Sequence, residues 1–327
     1  MAAQYLLLLA PSANRVFAEA TPALAKAELA VTTGIQAEIT WLDQVGALTF
    51  NADNLDLVAL ARQSCALVAF ERHDEWLKPV ALPNWRVFPD DLVTIPKYRG
   101  KTNELFTQML VHLTLSQVKT TLANRGEKLD ILDPMAGRGT TLTTAWLNGF
   151  NSYGVEQDQK AIASIETFIK TYLRRGHYKH KASLVPIRRD GRKLGMKLDV
   201  QASVGEKQVS MVVMSGDTRD SKMLYGKKTF DAIITDAPYG VRHSSNDGGE
   251  RHRSAKQLLT EAIPIWASQL RSGGALGISW NTYSMSRPDL ENALKDAGLK
   301  LPQDPSWGDF AHRVDSSINR DLIVARA

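Results

Sequence analysis

Cysteine is almost absent: Cys65 is the single one in 327 residues. That excludes an internal disulfide framework and any cysteine-rich zinc site, and its apolar neighbours place it in a core. Long hydrophobic runs are also missing. The best N-terminal candidate, Tyr5-Leu6-Leu7-Leu8-Leu9-Ala10, is six residues long, has no basic segment ahead of it and runs into Pro11, so it reads as a buried strand. No membrane or export signal is present, and the cytoplasm is the expected compartment. His243 and His252 have no obvious third ligand, so no metal is expected. There is no internal repeat and no low-complexity tract.

The composition is that of a globular protein, with 43% hydrophobic and 23% charged residues, and the length suits a large catalytic domain with a small companion. The net charge of +5 is unevenly spread. Residues 1–90 hold 6 Lys+Arg against 10 Asp+Glu, whereas residues 171–210 hold 10 Lys+Arg against Asp190, Asp199 and Glu206. A basic cluster of this kind is either a solvated face or the electrostatic footprint of phosphate-backbone binding.

The first ninety residues parse as strand, helix, strand, strand, helix, strand. Gln4–Ala10 is the first strand, Thr21-Pro22 opens a helix that stops near Gly34, Ile35–Trp41 and Ala47–Asn51 are two strands about Gly46, Asp53 caps a short helix, and Cys65–Phe70 is the last apolar run. This order suits a small α+β ferredoxin-like domain over residues 1–75. Pro79, Pro83 and Pro89 mark residues 76–96 as a linker. From residue 97 to 327, apolar strands alternate with amphipathic helices, such as the one carrying Ile162, Ile165, Ile169 and Leu173. Alternation of this kind predicts an α/β, doubly wound and mostly parallel sheet with its ligands at the carboxyl ends of the strands.

Asp133-Pro134-Met135-Ala136-Gly137-Arg138-Gly139-Thr140 joins the first strand of that sheet to its first helix. Two glycines let the backbone approach a ligand and turn sharply, although alone they equally describe a tight strand-to-helix turn. A dinucleotide fingerprint wants a third glycine where Leu142 stands, and no Gly-Lys-Ser/Thr follows, so NAD, FAD and ATP are disfavoured. Asp133 suits a cationic amino group better than a phosphate. Glu156, followed by Gln157, ends the next strand where a carboxylate can take both hydroxyls of a ribose, and Asp217, followed by Thr218, ends the third where it can accept from an adenine amino group. Acids at the ends of three successive strands describe a pocket for an amino-acid nucleoside.

Phe230–Thr235 is a buried strand that delivers Asp236-Ala237-Pro238-Tyr239 to the same edge. An aromatic amine is a poor nucleophile because its lone pair is delocalised into the ring, so its methylation needs acceptors on the N–H groups. The Asp236 carboxylate and the Ala237 carbonyl can be those acceptors, Pro238 stiffens the turn, and Tyr239 can stack on an extruded base. In isolation the segment is also an ordinary Asp-x-Pro turn. These residues resemble the amino-methyltransferases with the (Asn/Asp/Ser)-Pro-Pro-(Tyr/Phe) signature, most closely the tRNA guanine-N2 methyltransferases related to THUMP-domain enzymes. The resemblance runs from Lys97-Tyr98-Arg99-Gly100-Lys101-Thr102-Asn103-Glu104-Leu105-Phe106 to about residue 280. It implies a Rossmann-like sheet of seven strands, S-adenosyl-L-methionine as donor, tRNA as the RNA partner, and Thr102 and Phe106 near the methionine end of the donor. Ala237 departs from the usual first proline, and too few residues precede Lys97 to hold both a ferredoxin-like unit and a THUMP module.

Two segments are candidates for choosing the substrate. Leu184–Arg189 and Lys193–Gln201 read as a hairpin with Arg188, Arg189, Arg192 and Lys193 near its tip, placed to contact phosphates. The polar loop from Val241 through Arg242 to Arg253 follows the catalytic segment and can order over a base. Two other readings stay open: methylation of adenine N6 or cytosine N4 in DNA, and a non-catalytic nucleic-acid-binding protein on the same scaffold. The target nucleotide, the oligomeric state and any activating subunit are not legible in the sequence.

Overall fold

The computed structural model describes residues 2–96, 98, 101–119, 121, 128–189, 192–239 and 248–327. The first strand, β1 (Ala3–Leu9), leads to α1 (Arg15–Thr33), β2 (Glu38–Leu42), β3 (Val45–Ala52), α2 (Leu57–Ala61), β4 (Ala66–His73) and β5 (Trp76–Val80). These strands form an antiparallel sheet in the order β2-β3-β1-β4-β5. The strand β5 falls where the linker is expected to begin. Helix α1 starts earlier than Thr21 because Asn14 caps it, its side chain accepting from the Phe17 N–H at 3.1 Å. Pro22 lies inside the helix, and the Thr21 hydroxyl donates to the Phe17 carbonyl at 2.8 Å instead of capping. Gly34 ends the helix with φ 73°, a left-handed conformation that glycine adopts without steric cost.

This unit shares its core with the rest of the chain. Leu7, Leu24 and Leu48 belong to one apolar cluster with Phe106 and Leu110 of α4 (Glu104–Ser116) and with Ile234. Glu28 on α1, fully buried, accepts from the Ser64 backbone N–H at 3.0 Å and hydroxyl at 2.6 Å and pairs with His112 Nδ1 of α4 at 2.9 Å. A buried carboxylate is tolerable only with such partners.

After the short helix α3 (Asp91–Thr94) and α4, the second sheet is built from β6 (Asp130–Asp133), β7 (Asn151–Glu156), β8 (Lys179–Arg189), β9 (Arg192–Val204), β10 (Lys207–Ser215), β11 (Phe230–Asp236), β12 (Leu270–Asn281), β13 (His312–Arg313) and β14 (Asn319–Arg326). Helices α5 (Thr140–Leu147), α6 (Gln159–Arg175), α7 (Ser221–Tyr225), α8 (Gly248–Ala267) and α9 (Arg287–Asp296) connect them. The strand order is β13-β14-β12-β11-β6-β7-β10-β9-β8. The expectation of seven, mostly parallel strands is therefore corrected to nine strands, among the described residues, in a mixed sheet. Only β12, β11, β6, β7 and β10 run parallel, and antiparallel strands flank them on both sides. The basic hairpin makes the difference: β9 pairs along β10 from Lys207↔Val204 to Met214↔Lys197, covering an edge that would otherwise expose unpaired backbone groups.

The central strands carry apolar side chains on both faces, as strands covered on both sides must. In β11, Ala232 and Ile234 face the α4 side, whereas Ile233 packs with Leu259, Ile263 and Trp266 of α8. Because β6, β7, β10 and β11 are parallel neighbours or share one, their carboxyl ends bring Asp133, Glu156, Ser215 and Asp236 to one edge.

Candidate active site

The turn after β6 is held from below and from the side. Asp133 is 2% exposed, and its Oδ1 accepts from the Met135 N–H at 3.0 Å and from the Thr235 hydroxyl at 2.9 Å. Burial pushes its carboxyl up to about 7, and the neighbouring Asp236 charge adds to the shift. Gly137 and Gly139 have φ 52° and 82°, where a side chain is strained. The Ala136 N–H donates to the Val155 carbonyl at 2.9 Å, which lays the turn on β7, and a Cβ at Gly154 would come within 3.0 Å of Ala136 Cβ. Glu156 closes the turn: its Oε2 accepts from the Gly137 N–H at 2.8 Å and its Oε1 from the Asp158 N–H at 2.7 Å. Burial raises its carboxyl above the usual range.

A cavity of about 400 Å³ lies over this edge. Of the residues expected to hold a cofactor, Pro134, Met135, Gly137, Glu156, Gln157, Asp217 and Thr218 line it, and Asp236 and Pro238 form part of the same wall. Asp133, Ala136, Gly139 and Thr140 stand behind the lining and shape the turn. Tyr98 and Arg138, to which the sequence reading assigns no part, also line it. The Tyr98 hydroxyl bonds to the Thr140 hydroxyl at 2.7 Å, and the Arg138 guanidinium lies over the Tyr98 ring at 5.0 Å. Arg138 sits between the two glycines of the turn, a placement that could have marked it.

The chemistry of this lining fits an amino-acid nucleoside. The volume is in the range of small-molecule sites. A carboxylate offers about four lone-pair sites, so Glu156 keeps acceptor capacity for hydroxyl groups after holding the turn. Asp217 is engaged by Arg219, its Oδ1 accepting from the Arg219 N–H and Nε and its Oδ2 from a terminal nitrogen, each at 2.8 Å. That pairing holds its carboxyl below the usual range and leaves Oδ2 able to accept once more.

Asp236 ends β11 half-buried. The Tyr239 hydroxyl donates to its Oδ1 at 2.6 Å and the Thr102 hydroxyl donates to its Oδ2. The Ala237 N–H donates to the Ser279 carbonyl at 2.8 Å, and Asn281 Nδ2 reaches the Tyr239 carbonyl at 3.4 Å, so the backbone of the segment is tied to β12. Thr102 thus meets the Asp236 carboxylate and does not line the cavity. Phe106 is fully buried among Phe17, His312 and Arg320, so its place is the core and not the ligand. It sits on the face of α4 that packs inward. Tyr239 is half-buried, with Arg320 over its ring at 5.0 Å.

Arg188 and Arg189 end β8 while Arg192 and Lys193 open β9, which puts all four at the tip of the hairpin. Their side chains lie outside what the structure describes, as do Arg242 and the loop around it. Among the described residues no helix is long and apolar enough to cross a membrane, and no cluster of His, Cys, Asp and Glu suits a metal ion.

Residues 107–300 match the family described as UPF0020: RMKL-like, methyltransferase domain. No curated protein matches the chain. Among solved structures it is similar to TrmN from Thermus thermophilus, with 14% identity and a TM-score of 0.43 over 89% of this chain and 59% of that one. It is also similar to a TehB-like SAM-dependent methyltransferase from Corynebacterium glutamicum, with 15% identity and a TM-score of 0.36 over 68% of this chain and 96% of that one. An rRNA methylase from Streptococcus thermophilus matches at 13% identity and a TM-score of 0.32, over 61% of this chain and 86% of that one. The chain spans about 59% of the length of the TrmN structure.

Proposed function

Because this chain belongs to the RMKL-like methyltransferase-domain family, with S-adenosylmethionine as its donor, we propose that it methylates an exocyclic amino group of a nucleic-acid base. The substrate class we infer is RNA, and the target guanine N2 in tRNA. One observation carries the reading: the Asp236 carboxylate, fixed by two hydroxyl donors, stands with Pro238 in the wall of the cavity that Glu156 and Asp217 also line.

In this reading Glu156 holds the ribose hydroxyls of the donor and Asp217 accepts from its adenine amino group. The donor would supply a methyl group on a sulfonium, whose C–S bond breaks as the N–C bond forms so that the sulfur leaves as a neutral thioether. Asp236 and the Ala237 carbonyl accept the two N–H groups of the base, which turns the nitrogen lone pair out of conjugation and toward the methyl group. Once methylated, the nitrogen is acidic, and Asp236 can take its proton. The hydroxyls of Thr102 and Tyr239 keep the carboxylate in one orientation, so little reorganisation is needed during transfer. The hairpin tip with Arg188, Arg189, Arg192 and Lys193 supplies positive charge for the RNA backbone, and Arg242 follows the base site in the chain.

Replacing Asp236 by Ala tests this directly. Methyl transfer from labelled donor to RNA should fall about 100- to 1,000-fold, the usual cost of removing one such acceptor or donor, with donor affinity by calorimetry unchanged. Equal loss of both would mean that Asp236 holds the donor instead. Nucleoside mass spectrometry on cells lacking the gene should show a methylated guanosine missing from tRNA; a methylated base missing from DNA would redirect the assignment.

A further inference from the structure

Arg320, the second residue of β14, lies opposite Asn281 and is 5% exposed. Its guanidinium lies between two aromatic rings, over Phe106 at 4.6 Å and over Tyr239 at 5.0 Å. Its Nε is buried without an acceptor, and the side chain has no hydrogen bond or ion pair to the described residues. The contrast with other inward-facing arginines is sharp. Arg287 binds Asp321 at 2.9 Å and three further oxygens, and Arg271 reaches Asp130 and Asp231.

A guanidinium is charged at every relevant pH and can only donate. Stacking on two rings attracts it but gives its buried Nε–H no acceptor, and a cation so placed costs stability. Nearby His312 does not relieve this: its Nδ1 is engaged with the Phe310 carbonyl at 3.0 Å, and its buried Nε2 makes no hydrogen bond to the described residues. Asp236, beyond Tyr239, receives the Tyr239 and Thr102 hydroxyls. Arg320 is not part of the cavity lining on the Glu156 side, so the donor site does not account for it.

We propose that Arg320 contacts the methyl-acceptor nucleotide, its guanidinium binding an oxygen acceptor, either a base carbonyl or a phosphate oxygen, on the Tyr239 side of the catalytic carboxylate. The proposal rests on reading Asp236 to Tyr239 as the acceptor site. It explains why the Nε–H is left without an acceptor beside that segment: the RNA completes the coordination of the guanidinium.

The full chain with Arg320→Met, which still stacks on both rings, and with Arg320→Lys, which keeps the charge but loses the fork, provides the test. Both variants should bind S-adenosylmethionine as the wild type does. Arg320→Met should melt at or above the wild-type temperature, since it removes an unpartnered buried charge. Its kcat/KM for methyl transfer to total tRNA from cells lacking the gene should drop about 10- to 100-fold, the range for a hydrogen bond to a charged group, and Lys should recover only part of that. If the acceptor is a phosphate, RNA affinity falls and the slope of log K against log salt drops by about one. If it is a base carbonyl, the slope stays and the loss is in kcat/KM. An Arg320→Met protein that transfers methyl at the wild-type rate, or one that melts several degrees lower, overturns the proposal. A wild type that methylates no RNA refutes the reading of the site and this proposal with it, which separates the two failures.

Discussion

The buried carboxyl of Asp133 gives a stability signature with a definite sign. Its carboxyl lies at about 7 in the folded chain, against about 3.9 for an unfolded one. Between those values the folded state holds a proton that the unfolded state has lost, so this group's contribution is fully present below pH 4 and is lost as pH rises through 7. At about 1.4 kcal/mol per pH unit, the loss between pH 5 and pH 8 is roughly 2–3 kcal/mol. Asp133→Asn removes the titration with little change in shape. The Met135 N–H and the Thr235 hydroxyl fall on Oδ1, which an amide oxygen can replace, and the Thr141 hydroxyl, which also bonds the carboxyl, can turn to accept from the amide. Urea unfolding of both proteins from pH 5 to pH 8 should therefore show the stability of the Asn variant relative to the wild type growing by that amount across the range. The same variant should bind the cationic donor more weakly at pH 8, where wild-type Asp133 is charged. Parallel pH curves for the two proteins would refute the reasoning.

Gly139→Ala should lower stability by about 1–2 kcal/mol, the cost of a left-handed non-glycine residue, because φ is 82° there and the new Cβ would press to 3.3 Å from Ile165. A melting temperature equal to that of the wild type would show that the turn has another conformation open to it. Neutralising Arg188, Arg189, Arg192 and Lys193 together should weaken RNA binding and flatten its dependence on salt, with donor affinity intact. An unchanged slope would remove the hairpin tip from the interface.

The central strands were legible because strands covered on both faces must be apolar throughout, and Leu132, Val155 and Ile233 sit in such runs. Their ends were legible for a related reason: an acid such as Glu156 or Asp236 directly after an apolar run marks where the strand reaches the edge of the sheet. The start of α1 was not, since Thr21-Pro22 imitates a helix N-terminus and the real cap, Asn14, competes with it only by a local hydrogen bond. Nor was the sheet's full width. Alternation marks β8 and β9 as strands but does not say whether a hairpin stands free or pairs with a neighbour.

By itself the sequence determined which chemistry is present: the acids at strand ends, the glycines that permit the turn, and the Asp-Ala-Pro-Tyr segment whose main-chain oxygen is available whatever side chain replaces the usual proline. Only tertiary structure decided which of these groups share a wall, that Asp133 lies beneath the cavity and Phe106 within the core, and that Thr102 meets Asp236 across 134 positions of chain. The physical reason is the range of the forces. Backbone preference and side-chain periodicity act within a few residues, whereas the desolvation of Asp133 and the stacking of Arg320 exist only once distant elements have closed over them.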